Sequence, residues 1–482
     1  MDNSLKTITA RNISYNAVAT VMVAVTQFLT TVILARVLAP ADYGIVGFSQ
    51  IFINFMMQFG DFGINNAIVQ RSDLDDTALH TAFTLKVVFS IGLFLLLLMV
   101  APCARLFLDR QEVTTVIRIL SCNFLFSVAI FLPQTSLTRD LDFKKITLVQ
   151  MISIAISSVC AIFMAFNGFG LWSLVASSLM TYVLSAVLLN ILKPVRPIFC
   201  YDRQEARRLL NFGVSILIPG VIIFIIFNTD NFVIGAVRGA EQLGYYAVAF
   251  NWGSMICVLM AGIFHKVLTP TFSKFQHDIP ALKKAYLTSV RYITFLAVPV
   301  NVLLALYGRE FLVQVLGRGT ERWLPALLAM QILCCYGVLR AVLEPIGNVI
   351  FGIGKPELCL KAIVLVAAVE LGLLYPAISN FGITGVAVAV TIAYISQYLV
   401  YLPLMKRELG VVAGDLICEV RIAAIAVGVM AAVMCLVKQL FQVSLPALVL
   451  QWSGAALVYL AVYTLIDRGK LFGELKALAY GK

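Results

Sequence analysis

Charge is what this chain has least of. Asp, Glu, Lys and Arg make up 13% of its 482 residues, against 61% hydrophobic, and soluble globular domains carry about 25% charged residues. A water-soluble core wrapped in a charged surface is thereby excluded. Histidine is nearly absent, with three residues, at 80, 265 and 277. None has a second His or a carboxylate cluster at ligand spacing. The ten cysteines lie mostly singly within apolar stretches, and the Cys334–Cys335 pair lacks the spacing of a zinc site, so neither a metal site nor a disulfide framework is expected. They read as small buried apolar residues. "GIGKPE" (352–357) superficially resembles a phosphate loop but lacks the strand, the full glycine spacing and the Ser or Thr. No catalytic constellation stands out. Loops are short, which leaves no room for an extramembrane catalytic domain. The alternating pattern of an outer-membrane barrel is missing, and no small-residue cleavage site follows the N-terminal "MDNSLKTITARNIS".

Apolar runs of about 20 residues fill the chain instead, each long enough to cross the hydrocarbon as a helix. Fourteen are read, at roughly 13–37, 43–65, 81–104, 114–137, 147–166, 170–192, 212–237, 242–265, 287–308, 324–351, 358–378, 383–405, 416–440 and 446–466. The expected fold is an all-α polytopic membrane protein. Most of the 36 Lys and Arg residues fall on the side of the N-terminus, while Lys86, Arg291 and Arg340 lie inside spans. Retention of basic residues in the cytoplasm then places both termini there. Topology accounts for the net charge of +11, and no nucleic-acid partner is expected. "DRQEARRLLNFG" (202–213) reads as an interfacial linker helix able to touch anionic headgroups.

The chain repeats itself. "VILARVLAPADYG" (32–44) corresponds to "FVIGAVRGAEQLG" (232–244) at an offset of 200, with Gly44 opposite Gly244. "ARLFL" (104–108) matches "GREFL" (308–312) at 204, and Pro133, "NGFG" (167–170) and Tyr182 match Pro345, "SNFG" (379–382) and Tyr394 at 212. The organisation expected is an N-lobe (1–195, spans 1–6), a cytoplasmic amphipathic linker (196–211), a C-lobe (212–408, spans 7–12), and spans 13–14 with a cytoplasmic tail (409–482). Two such lobes around a central cavity can open it to alternate sides of a bilayer.

Span 2, "SQIFINFMMQFGDFGINNAIVQR" (49–71), carries Gln50, Asn54, Gln58, Asp61 and Asn65 at steps of three and four. Amides facing lipid would lack hydrogen bonds, so this stripe is expected to face the bundle interior or a hydrated cavity. Interhelical hydrogen-bond glue is the alternative for any one of them. Span 1 adds Asn12, Asn16, Thr20, Gln27 and Thr31, span 7 adds Asp230, equivalent to Thr30, and span 8 adds Asn251. Asp230 is expected either to bind a coupling cation or proton or to lock spans 7 and 1 together. Arg340 and Glu344 share a helical face and are expected to pair, chiefly as a structural element, with Pro345 marking a break in span 10.

"LARVLAPADYG", "DFGINNAIVQRSDLDDTALHTAFTLKV" (61–87), "PQTSLTRDLDFKKITLV" (133–149) and "VLTPTFSKFQHD" (267–278) resemble the polysaccharide-transport, Wzx-type flippase branch of the multidrug/oligosaccharidyl-lipid/polysaccharide (MOP) exporter superfamily. The resemblance runs from about residue 5 to residue 410. It implies a non-enzymatic flippase in the bacterial plasma membrane that moves an undecaprenyl-diphosphate-linked oligosaccharide from the inner to the outer leaflet by alternating access, for exopolysaccharide, capsule or O-antigen-type export. It implies no cofactor beyond coupling to a proton or Na+, and a monomer in contact with membrane lipids and in loose association with a polymerase and co-polymerase. Asp230 falls where family members often carry an acid. Arg36, in "LAR", matches a recurrent position with a structural or headgroup role, and "QRSDLDD" and "TRDLDFKK" match cytoplasmic loops that look like gate or topology elements. A drug exporter of the MATE branch shares the two lobes, and a membrane glycan polymerase or ligase is the alternative of another class. Lys86 and Arg291 lie near the cytoplasmic ends of spans 3 and 9, where they either snorkel to headgroups or attract the diphosphate.

Overall fold

The computed structural model describes residues 21–70, 75–355, 357–440 and 444–468, apart from the side chains of 69, 70, 261–267 and 269–271. Asn12, Asn16 and Thr20, part of "QRSDLDD", and the tail from 469 lie outside the described residues. Those described form helices and no strands. In chain order they are α1 (Val21–Val37), α2 (Pro40–Asp61), α3 (Ile64–Gln70), α4 (Asp76–Val100), α5 (Gln111–Leu120), α6 (Cys122–Arg139), α7 (Phe143–Phe166), α8 (Trp172–Leu192) and α9 (Arg203–Lys274). There follow α10 (Ile279–Leu306), a short α11 (Gly308–Glu310), α12 (Leu327–Gly352), α13 (Glu357–Leu409), α14 (Ala413–Leu440) and α15 (Leu445–Asp467).

Among the described residues, ten segments are long and apolar enough to cross a membrane. Two of them hold a pair of crossings each, because Gly239 (φ 83°) interrupts α9 and Gly382 (φ 59°) interrupts α13. The described part of α1 is shorter, and α2, at 22 residues, is diluted by its polar stripe. With these the helical segments, over the described residues, follow the fourteen spans read from the sequence.

Two expectations need correction. The 202–213 segment is no separate linker helix: α9 begins at Arg203, capped by the Asp202 carboxylate on the Glu205 amide at 2.8 Å, and continues into the span. The chain before it is held to α4, where Thr84 Oγ1 donates to the Cys200 carbonyl (2.8 Å) and the Asp202 amide donates to Thr81 Oγ1 (3.1 Å). Nor does Pro345 break span 10, since α12 runs through it from Leu327 to Gly352. Proline inside a membrane helix is tolerated when neighbours replace the lost donor.

That replacement is visible at two other prolines. Pro133 in α6 leaves the Ala129 carbonyl without its helical donor, and Asn190 Nδ2 from α8 donates to it at 2.8 Å. Pro299 in α10 likewise orphans the Phe295 carbonyl, and Tyr459 Oη from α15 donates to it at 2.9 Å. The same Phe295 ring lies 4.7 Å from Tyr463 and 5.5 Å from Tyr459. Spans 13 and 14, beyond the stretch of family resemblance, are part of a shared core with α10.

The chain forms two compact units, residues 1–244 and 245–482. In the first, the outgoing half of α9 runs antiparallel along α2. A Cβ on Gly213 would overlap the Phe62 carbonyl, one on Gly220 would meet Gln58, and Phe224 and Phe232 pack on Phe55 and Phe48 with ring centroids 5.7 Å apart in each pair. At the far end Gly44 sits on the Ala240 carbonyl and Gly244 on the Pro40 carbonyl. Contacts exchanged in this way are what a two-fold relation between the 40–44 and 240–244 segments requires. They match the sequence offset of 200. Gly170 and Gly382, equivalent at 212, both have left-handed φ values of 53° and 59°.

In the second unit, ion pairs fasten both ends of α14. Lys283 Nζ lies 2.7 Å from Asp415 Oδ2 and donates to the Gly410 carbonyl. Lys438 Nζ donates to Glu310 (2.9 Å) and to the Leu306 carbonyl (3.0 Å). The "GIGKPE" lysine, Lys355, pairs with Glu408 at 2.5 Å, so this motif fastens the α12–α13 turn to the end of α13.

Candidate functional site

The first unit contains a partly open cavity of about 580 Å³ among α2, α3, α4, α6, α7 and α8. Its charged edge is made where α2 stops. Phe62 and Gly63 take left-handed φ values of 43° and 64°, ending the helix at Asp61, and the last carbonyls of a helix lack intrahelical donors. Lys86 of α4 fills that need: its Nζ donates to the Gly60 carbonyl at 2.9 Å, with the side chain buried. Asp61 is the charge that interacts with Lys86 across the cavity edge. A lysine at the negative end of a helix, beside a carboxylate, is compensated twice.

Polar groups on the other helices complete the lining. Thr135 Oγ1 of α6 donates to Asn65 Oδ1 of α3 at 2.9 Å. Between α7 and α8, Thr181 Oγ1 donates to Ser157 Oγ at 2.9 Å and Ser185 Oγ to Ser153 Oγ at 3.2 Å. These pairs hold the wall. Gln134, Gln150 and Tyr182 also line the cavity, and among the described residues none of these side chains has a hydrogen-bond partner. The lining lies near the end of the bundle that carries Arg139, Lys144, Lys145 and Lys193.

The structure brings together only part of what the sequence singled out. Lys86, Asp61 and Asn65 meet in this cavity. Gln58 lies against Gly220, while Gln50, Asn54, Gln27 and Asn251 are exposed. The spacing from Asp61 to Asn65 is not a helical step, because Phe62 and Gly63 break the helix between them. Lys86 is buried on a carbonyl and does not snorkel; Arg291 is half-buried in α10 of the other unit. Asp230 is 3% exposed, its Oδ1 accepting from the Asn231 amide (2.7 Å) and side chain (3.0 Å). Arg36 is half-buried. Arg340 and Glu344 do pair, at 3.4 Å, and Arg340 also donates to Tyr336 Oη at 3.3 Å. Gln134 and Gln150 escaped the sequence reading. The signal was present, since Gln134 follows the helix-interior Pro133 and Gln150 comes directly after the family-like stretch 133–149, but neither belongs to a periodic stripe.

No group of His, Cys, Asp and Glu able to hold a metal occurs among the described residues.

The helical fold and this polar site inside apolar spans define the class: a multi-pass membrane protein with the fold of the MOP exporters. Over 95% of the chain the backbone is similar to a solved structure described as the lipid II flippase MurJ in an inward closed conformation, with a TM-score of 0.75, 15% identity and 99% of that chain covered. Over 82% it is similar to an inward-facing multidrug resistance MATE family transporter of the MOP superfamily, with a TM-score of 0.65, 16% identity and 98% of that chain covered. Within that class, residues 33–327 match the polysaccharide biosynthesis protein family, and the chain belongs to it. Relatives include the lipopolysaccharide biosynthesis protein WzxC of Escherichia coli strain K12, 23% identical over 84% of this chain and 83% of that one. The teichuronic acid biosynthesis protein TuaB of Bacillus subtilis strain 168 is 25% identical over 62% of each. The chain is a Wzx-type transport protein, not an enzyme.

Proposed function

We propose that the protein is a flippase for undecaprenyl-diphosphate-linked oligosaccharide repeat units, carrying them from the cytoplasmic to the outer leaflet of the bacterial inner membrane by alternating access, for export of an exopolysaccharide, capsule or O-antigen-type glycan. The observation that carries this reading is the amide- and hydroxyl-lined cavity with its Lys86–Asp61 edge inside apolar spans. Burying such groups in lipid is costly unless a hydrated or polar occupant uses them. The family supports a glycan cargo, and by the positive-inside rule the cavity's basic end faces the cytoplasm, where lipid-linked sugars are assembled. Asp230 is proposed to serve coupling to a proton or Na+, and the monomer to meet a polymerase and co-polymerase loosely.

The test is reconstitution in liposomes with a labelled lipid-linked oligosaccharide loaded in one leaflet, scored by its exposure to a membrane-impermeant glycosidase. Protein-dependent exposure of unaltered glycolipid is expected. Extension of the glycan would instead mark a polymerase, and no exposure alongside drug-dependent cation flux would mark a MATE-like exporter.

A further inference from the structure

Within the flippase reading, the chemistry of the cavity in the first unit is more specific than "polar". Its volume of about 580 Å³ is far above the roughly 30 Å³ share of one water and inside the usual range of small-ligand sites. Most of its wall hydroxyls are already spent on one another, through Thr135–Asn65, Thr181–Ser157 and Ser185–Ser153. What remains facing the space is Gln134, Gln150 and the Tyr182 hydroxyl, each able both to donate and to accept.

Charge is not left over in the same way. The Lys86 ammonium is held by the Gly60 carbonyl and offset by Asp61, so the cavity offers no spare cation for a diphosphate. Apolar surfaces of Phe131, Ile146 and Ile154 lie between the amides. Sugars present that same alternation, with hydroxyl edges and apolar C–H faces.

Positions of the second unit that correspond to the neighbourhood of this cavity carry different chemistry. At the repeat offset of 212, Phe124, Val128 and Ala186 correspond to Tyr336, Arg340 and Tyr398. There the Tyr336 and Tyr394 rings pack 5.0 Å apart, Arg340 donates to Tyr336, and Tyr398 Oη donates to the Leu339 carbonyl at 2.9 Å. Polar side chains with bonded partners of their own thus stand in the second unit at positions that are apolar in the first.

We infer that the cavity of the first unit is a sugar-recognition subsite for uncharged pyranose rings of the carried glycan, with the lipid diphosphate remaining outside it at the basic end of the bundle. Gln134 and Gln150 bridge vicinal hydroxyls, Tyr182 bonds a further one, and Asp61 accepts from a hydroxyl that reaches the charged edge. Asp61 offsets the charge of the carbonyl-bound Lys86 at that edge, which discriminates against anionic sugars.

The experiment uses the full chain in lipid nanodiscs and three polyprenyl diphosphate probes: bare, bearing a neutral disaccharide, and bearing a disaccharide that ends in a hexuronate. The neutral glycolipid is expected to bind at least about tenfold more tightly than the bare lipid, with the hexuronate probe between them. Gln134→Leu, Gln150→Leu and Tyr182→Phe should each remove most of that sugar-dependent gain and leave affinity for the bare lipid unchanged. Gln134→Asn, a milder change, controls for loss of fold and should retain part of the gain at the parent melting temperature. Equal affinities for neutral and bare probes in the parent, a preference for the hexuronate, or variants that lose bare-lipid binding in proportion each overturn the subsite. If liposome transport persists in any of those cases, the flippase reading stands and the subsite alone fails. If the parent neither transports nor binds any glycolipid, both fall.

Discussion

At the scale of single residues, compensation decides which polar group is structural and which is available. Lys86→Met removes the donor to the Gly60 carbonyl and leaves Asp61 without its cation. The expected loss of stability is about 1–3 kcal/mol, read as a lowered melting temperature of the detergent-purified protein, with Asp61→Asn added in the same chain restoring part of it. Asp230 is also buried and accepts hydrogen bonds from its neighbour Asn231. If its charge serves coupling, Asp230→Asn should insert and accumulate normally yet lose most glycan export in a complemented deletion strain. Full export at normal protein level would discard the charge-dependent role. Sequence alone made Lys86 visible as a charge inside a span, but its burial against a helix end was invisible, because the end of α2 is set by the left-handed turn at Phe62 and Gly63.

At the scale of elements, the spans are held by replacements for hydrogen bonds that proline and close packing remove. Tyr459→Phe deletes the hydroxyl that caps the Phe295 carbonyl opposite Pro299 and nothing else. A loss of about 1 kcal/mol is expected, measurable by unfolding, and a variant as stable as the parent would show that the carbonyl finds another donor. The α2–α9 contact makes a sharper case. A methyl group on Gly44 would be placed 1.7 Å from the Ala240 carbonyl oxygen, which only backbone displacement can relieve, at an overpacking cost of about 1–3 kcal/mol. Gly44→Ala should therefore lower thermal stability while Gly47→Ala, whose added methyl meets nothing, should not. The prolines and glycines were legible as a repeat; the partners Asn190 and Tyr459 were not, since nothing in a linear pattern says which neighbouring helix will face an orphaned carbonyl.

At the scale of the whole molecule, orientation follows from the basic loops. In a cysteine-free background, restored Cys103, exposed after α4, is expected to react with a membrane-impermeant maleimide in intact cells. Restored Cys200, in the basic segment before α9, should react only after permeabilisation. Reversed labelling would place both termini outside and turn the cavity's basic end toward the outer face. The domain division is where pattern and packing part company. Sequence correspondence groups span 7 with the C-lobe from residue 212, whereas the compact unit runs to Gly244, because the outgoing half of α9 lies along α2 through Gly213, Gly220, Phe224 and Phe232.

The sequence by itself determined the solvent, the helical class, the spans, the repeat and the family, because each of these is written in composition, segment length and order, which need no knowledge of neighbours. It also determined that Arg340 and Glu344 would pair, since four residues on one helix suffice. Only the tertiary structure decided that the polar stripe of span 2 divides, with Asp61 and Asn65 in a cavity, Gln58 against a glycine, and Gln50 and Asn54 exposed. A stripe fixes which face of a helix is polar, but what stands opposite that face is chosen by residues far away in the chain. For the same reason Gln134 and Gln150, with no stripe of their own, became site residues only when α6 and α7 closed around the end of α2.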